Sequence, residues 1–166
     1  MAGTETRSQV LLAKITIALI LVLIGLGLIW NGVSRDVLQR IWLNLADRPG
    51  GPMTFRFVLQ PVMASIAALH DGVRDAQAGR SPYFWSLLTQ SAERRERLHE
   101  GLISTARIVL LGLAMDTIYQ LTVLGRFFPG EAVIIATLLA FLPYLVLRGP
   151  FDRLGRWWME RHPPRA

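Results

Sequence analysis

Residues 10–30 read VLLAKITIALILVLIGLGLIW, a block of 21 residues with one charge, Lys14. Coiled as an α-helix it would be about 31 Å long, matching a bilayer hydrocarbon core of roughly 30 Å. Lys14 sits close enough to one end to snorkel, and Trp30 marks the opposite interface. A cleaved signal peptide is the rival reading. Its apolar region would be about 7 to 15 residues long and would end in a small-x-small site. This block is longer and ends in Trp30-Asn31, so the expectation is an uncleaved anchor.

Two further apolar blocks follow at 102–125 and 132–147, joined by the link RFFPGE at 126–131. So short a link makes them an antiparallel helical hairpin. Pro143 lies near the end of the third block, where it can kink the helix and leave most of its length intact.

The stretches between are amphipathic. At 33–46 the apolar positions recur at helical spacing with Arg35, Asp36, Gln39, Arg40 and Asn44 between them, as in a helix lying on a membrane surface or on other spans. Arg48-Pro-Gly-Gly-Pro52 ends it. At 55–73, Phe55, Val58, Leu59, Val62, Met63, Ile66, Leu69 and Val73 form an apolar stripe opposite Arg56, Gln60, Ala64, Ala67, Asp71 and Arg74. Its best apolar run, 57–69, contains Gln60 and Pro61 and is short for a span, so the length criterion favours an interfacial, re-entrant or protein-packed helix over a lipid-exposed span and leaves a fourth crossing open. Residues 74–101 form a charged segment with an aromatic run at Tyr83-Phe84-Trp85 and the mixed-charge stretch ERRERLHE at 93–100. Residues 149–162 read as a basic amphipathic tail. There Arg153, Arg156, Trp157, Trp158 and Arg161 are expected to meet lipid headgroups.

The expected fold is therefore an all-α integral membrane protein. It is one membrane domain over 1–166, with three transmembrane helices, a possible fourth at 55–73, and interfacial helices. A chain of 18.6 kDa can hardly bury several helices of this apolarity within itself, so lipid is the simpler solvent.

Charge placement orients it. With three spans, fourteen Lys/Arg fall on the side of 31–101 and the C-terminal tail, against three on the other; with four the split is twelve against five, Arg107 being omitted as intramembrane in both. The positive-inside bias favours three spans with the N-terminus outside. Both arrangements put 74–101 and the C-terminus in the cytoplasm and the 126–131 link outside. The expected location is a bacterial inner membrane.

The formal charge of +6 would suggest nucleic acid in a soluble chain. Here the basic residues flank apolar blocks, so anionic headgroups are the expected partner and nucleic acid is not. With no Cys, disulfides, thiolate metal sites and cysteine nucleophiles are excluded. His70, His99 and His162 lack the i, i+4 spacing of a helical metal site, and no cofactor is expected.

Asp116 is the one acid well inside an apolar block, where an unpaired carboxylate costs a few kcal/mol or more. It requires a partner or a proton. On a helical wheel Gly112, Gln120 and Thr105 share its side, a polar stripe turned from lipid. The candidate partners are Thr137 and Tyr144 across the hairpin, or Arg56. Arg107, on the opposite side of the same helix, is expected to snorkel. His70-Asp71 has no nucleophile or oxyanion arrangement beside it, and catalysis there is not expected.

Three functions remain open on this reading. The first is a non-catalytic accessory or scaffolding component that contacts a membrane protein partner. The second is a small homo-oligomeric channel or transporter using the Asp116 stripe. The third, a membrane enzyme, has no set of groups to support it.

Overall fold

The computed structural model describes residues 6–161, and these contain helices and no strand. Helix α1 spans Arg7–Asn31, α2 Arg35–Asp47, α3 Arg56–Gln77 and α4 Tyr83–Thr89. Helix α5, Ser91–Tyr119, continues through a π-turn at Gln120–Leu124. Helix α6, Pro129–Ala136, passes through a second π-turn at Thr137–Phe141 into α7, Leu142–Arg161. His162, at the end of the expected basic tail, lies outside the described residues. Three stretches are long and apolar enough to cross a membrane: Arg7–Asn31, Arg94–Leu124 and Pro129–Arg161.

The second and third stretches outrun their apolar blocks. Nothing in 93–100 breaks a helix, so the mixed-charge stretch simply extends α5 back to Ser91. The expected separate tail at 149–162 is likewise the continuation of α7. The π-turn at Thr137–Phe141 lies just before Pro143, which has no N–H to give the carbonyl of Leu139 and whose ring would crowd it; a wider turn absorbs the mismatch without ending the helix.

The long helices run alternately up and down. The C-terminal part of α1 meets the start of α6, where a methyl on Gly27 would fall 2.9 Å from the Gly130 nitrogen. Helix α2 is fastened at this same hairpin end, with Arg40 Nε donating to Glu131 at 3.3 Å and Asn44 Nδ2 at 3.0 Å. Helix α3 begins there too, with Arg56 against Asp116, and ends beside α7, where Asp75 meets Arg148. Helix α4 packs at that far end, its buried Tyr83 hydroxyl donating to the Arg97 carbonyl at 2.7 Å.

The three membrane-length helices agree with the three apolar blocks of the sequence, and α3 also runs the length of the bundle. Helix α2 sits at one end of the bundle and α4 at the other, so the chain between them must travel the bundle's full length, and α3 is what does so. Its 22 residues rise about 33 Å. The N-terminal end of α1 accordingly lies at the same end of the bundle as the C-terminal end of α7.

Helix α3 is also turned polar side inward. Arg56, Gln60, Ala64, Ala68, Gly72 and Ala76, every fourth residue, are buried, while Phe55, Val58, Val62 and Ile66 are exposed. The facing strip on α6 and α7 has the same spacing: Ala132, Ala136, Ala140, Tyr144, Arg148 and Asp152 are all buried. Small residues at four-residue intervals let two helix backbones approach closely. At Gly72 a methyl would fall 2.7 Å from the Arg148 carbonyl oxygen and 2.9 Å from the Asp152 nitrogen, so no other residue fits without parting the helices.

Candidate functional site

The centre of this seam is alanine and glycine, and its two ends are charged. At the hairpin end Arg56 Nη1 lies 2.8 Å from Asp116 Oδ1, with both side chains essentially inaccessible. The guanidinium also rests 4.9 Å from the centre of the Tyr119 ring. Gln120, one turn beyond Asp116, donates to its Oδ2 at 2.6 Å. The same side chain ties down the hairpin link, accepting the Phe128 N–H at 2.5 Å. Asp116 thus has a guanidinium on one oxygen and an amide on the other, the partners that a buried carboxyl group requires.

All four residues of the Asp116 stripe face the interior. Asp116, Gln120 and Thr105 are fully buried, with Thr105 Oγ1 donating to the Gly101 carbonyl at 2.7 Å. A methyl on Gly112 would meet Ala136 Cβ at 3.1 Å and Gln60 Nε2 at 3.3 Å, so this glycine makes room for α3 and α6 together. Of the three candidate partners, Arg56 stands at Asp116. Thr137 is half-buried in the π-turn and, among the described residues, makes no hydrogen bond to Asp116. Tyr144 lies too far along α7, and its hydroxyl donates instead to Asp71 Oδ2 at 2.8 Å and accepts from Arg148 Nη1 at 2.6 Å.

The far end holds a larger network that the sequence reading did not single out. Asp75 Oδ2 takes Arg148 Nε at 2.8 Å and its Oδ1 takes Arg97 Nη1 at 3.0 Å, three buried side chains from α3, α5 and α7. Glu100 bridges Arg148 at 3.1 Å and Arg80 at 2.8 Å toward the surface. Ser104 Oγ joins Tyr144 in donating to Asp71, at 2.5 Å. The Arg148 guanidinium lies 4.2 Å from the centre of the Tyr83 ring, and that ring meets Tyr144 edge-on at 5.9 Å. Burial pushes the Tyr83 hydroxyl up to about 12, so it stays a neutral donor at ordinary pH. Three arginines face three carboxylates here, which leaves little net charge to desolvate.

The expected headgroup residues divide. Trp157 and Trp158 are exposed, and the Arg161 guanidinium stacks 4.0 Å from the centre of the Trp157 ring. Arg153 is exposed as well. Arg156 is committed to the protein: its Nη2 pairs with Asp152 Oδ1 at 3.0 Å and also donates to the Arg80 carbonyl. Arg107 is exposed on the outer side of α5. His70 lies 3.5 Å from Asp71 at the charged end, and Asp71 is about 22 Å of helical rise from Arg56, so the His70-Asp71 pair and Asp116 form no common cluster. Among the described residues, no three His, Asp or Glu side chains are grouped to hold a metal.

The sequence carried a signal for the seam, the four-residue repeats of Ala64, Ala68, Gly72 and Ala76 and of Ala132, Ala136 and Ala140. Asp75, Arg97 and Arg148 had no comparable local signal, being separated by 22 and 51 positions along the chain. The helical bundle, with its three membrane-length apolar helices, is what the structure establishes; comparison of the chain with protein-family models, curated proteins and solved structures finds no match.

Proposed function

We propose that the chain is a four-pass protein of the bacterial inner membrane, with both termini in the cytoplasm, serving as a non-catalytic accessory or scaffolding subunit of a membrane complex. The observation that carries this reading is the inverted polarity of the bundle. Arg56, Asp116, Asp75, Arg97 and Arg148 are buried and paired within the chain, while leucines, isoleucines, valines and aromatics face outward. An exterior of that kind suits lipid and other membrane helices. The self-paired charges leave little chemistry to offer a substrate. Charge placement supports the orientation too: the four-pass path puts twelve Lys/Arg of the sequence on the cytoplasmic side against five outside, a bias of the same sign as the three-span split though smaller.

The homo-oligomeric channel loses ground on the same observation. The Asp116 stripe is turned onto Arg56 and the protein's own seam, so a pore between copies would need a different lining.

Topology is directly testable because the chain has no native cysteine. Single cysteines placed at Ser34 and at Arg126 are expected to react with an impermeant thiol reagent in intact cells, and one at Gln90 only after permeabilisation. Labelling of Gln90→Cys without permeabilisation, or protection of Ser34→Cys, would refute the four-pass orientation. The accessory role predicts a native mass, after gentle extraction at natural abundance, that contains a second, defined polypeptide. A bare monomer in that measurement argues against it, and a symmetric homo-oligomer would revive the channel.

A further inference from the structure

Helix α2 overhangs a hollow. Between α1, α2 and the start of α6 lies an open cleft of about 240 Å³, walled by Ile24, Leu28, Val37, Ile41, Val133 and Ile134. Helix α2 has no buried residue, and it is held by the polar clasp of Arg40 and Asn44 on Glu131. We infer that this cleft is a phospholipid site, taking one acyl chain of the leaflet on the hairpin side, with the lipid phosphate at Arg40. The inference rests on the four-pass membrane reading.

The walls are continuous with the outward faces of α1 and α6, where Ile24, Leu28 and Ile134 are exposed, so a chain enters sideways from the bilayer. The slot is smaller than the roughly 300–1,000 Å³ of drug-sized ligand sites. A single unbranched hydrocarbon chain fits it better than a ring system. Water is a poor occupant of the depth of the cleft, where Ile24, Leu28, Val133 and Ile134 offer it no hydrogen-bond partners, the polar groups being at the rim.

The rim supplies the complementary head. Arg40 is about one-third exposed and uses two of its five N–H donors on described residues, in long bonds to Glu131 at 3.3 Å and Asn31 at 3.4 Å. Its guanidinium rests 4.3 Å from the centre of the Phe128 ring, which fixes it at the mouth. The exposed Trp30 and Trp42 flank this level, as aromatics do at the headgroup boundary. Tail below and phosphate above is the order in which apolar walls and cation occur here.

Two substitutions close the slot from opposite walls. A side chain on Gly130 meets nothing within 4 Å of its Cβ, so Gly130→Leu adds bulk without a backbone clash. Val37→Phe does the same from α2, and Val62→Phe on the exposed face of α3 is the control. In native mass spectrometry from mild detergent, wild type and Val62→Phe are expected to keep one phospholipid through a delipidating wash. Both cleft variants are expected to lose that retention by at least about tenfold, or more than 1.4 kcal/mol. Equal retention in all four forms overturns the site, as does displacement of a polypeptide instead of a lipid by the cleft variants. A wild type that stays soluble without detergent refutes the membrane reading itself, which separates that failure from this one.

Discussion

Arg56→Met is expected to destabilise the protein by about 3–5 kcal/mol, because it strands a fully buried carboxylate. Asp116 would keep the Gln120 amide on Oδ2 but lose the charge that faces Oδ1 at 2.8 Å. Neither ionised nor protonated Asp116 would then have a full set of partners. The double variant Arg56→Met, Asp116→Leu is the informative companion. It removes both charges and fills the site with apolar volume, and such replacements range from neutral to stabilising by about 1–4 kcal/mol. Unfolding in mixed detergent micelles, followed by helical circular dichroism, should therefore place the single variant far below wild type and the double near or above it. A single variant within about 1 kcal/mol of wild type would mean that Asp116 is not desolvated as its burial implies. The double variant also bears on function. If it still co-purifies with the same polypeptide as wild type, the pair is structural and the accessory reading stands; loss of a transport activity in a stable double variant would turn the argument toward Asp116 chemistry.

The need for a partner at Asp116 was legible in the sequence because one acid in an apolar block stands out locally. The three long apolar helices were legible for the same reason. The role of 55–73 was harder to read. An amphipathic stripe has the same period whichever way it faces, and the length criterion penalises each polar residue as though it met lipid. In α3 the polar residues meet other helices: Arg56 meets Asp116, Gln60 lies against Gly112, and Asp75, beyond the stripe, meets Arg97 of α5 and Arg148 of α7. Of the two residues that interrupt the apolar run, Gln60 is buried against α5, and the charges that fix α3 inside the bundle, Arg56 and Asp75, flank that run. Tyr144 stands among the three candidate partners of Asp116 because hairpin folding sets only an approximate register. The extra residue in the π-turn at Thr137–Phe141 and the length of α7 carry Tyr144 toward Asp71. The charged network was the least legible part, since its members come from α3, α5 and α7 and only the packed seam brings them together.

That network carries the second large effect. Asp75→Ala is expected to cost about 3–5 kcal/mol, since Arg97 and Arg148 are both nearly inaccessible and would face each other across the vacated carboxylate. Glu100 Oε2 would still reach Arg148 at 3.1 Å and Arg97 at 3.6 Å, but it is partly exposed and stands on the surface side of the network, so it offsets only part of the lost charge. Arg80→Ala is the contrasting change. Arg80 is more than one-third exposed, and its pairs with Glu100 at 2.8 Å and Asp75 at 3.6 Å are solvent-screened, each worth no more than about 1 kcal/mol. The two variants touch the same network and should differ severalfold in stability loss. Hydrogen exchange gives the local signature: in Asp75→Ala the α4 amides should lose protection first, because Tyr83 is seated on the Arg97 carbonyl and under the Arg148 guanidinium. If α4 keeps its protection while α3 loses it, Asp75 holds the seam and not the α4–α5 corner. That outcome would mean that the Tyr83 hydroxyl on the Arg97 carbonyl holds α4 without help from the Arg148 guanidinium above its ring.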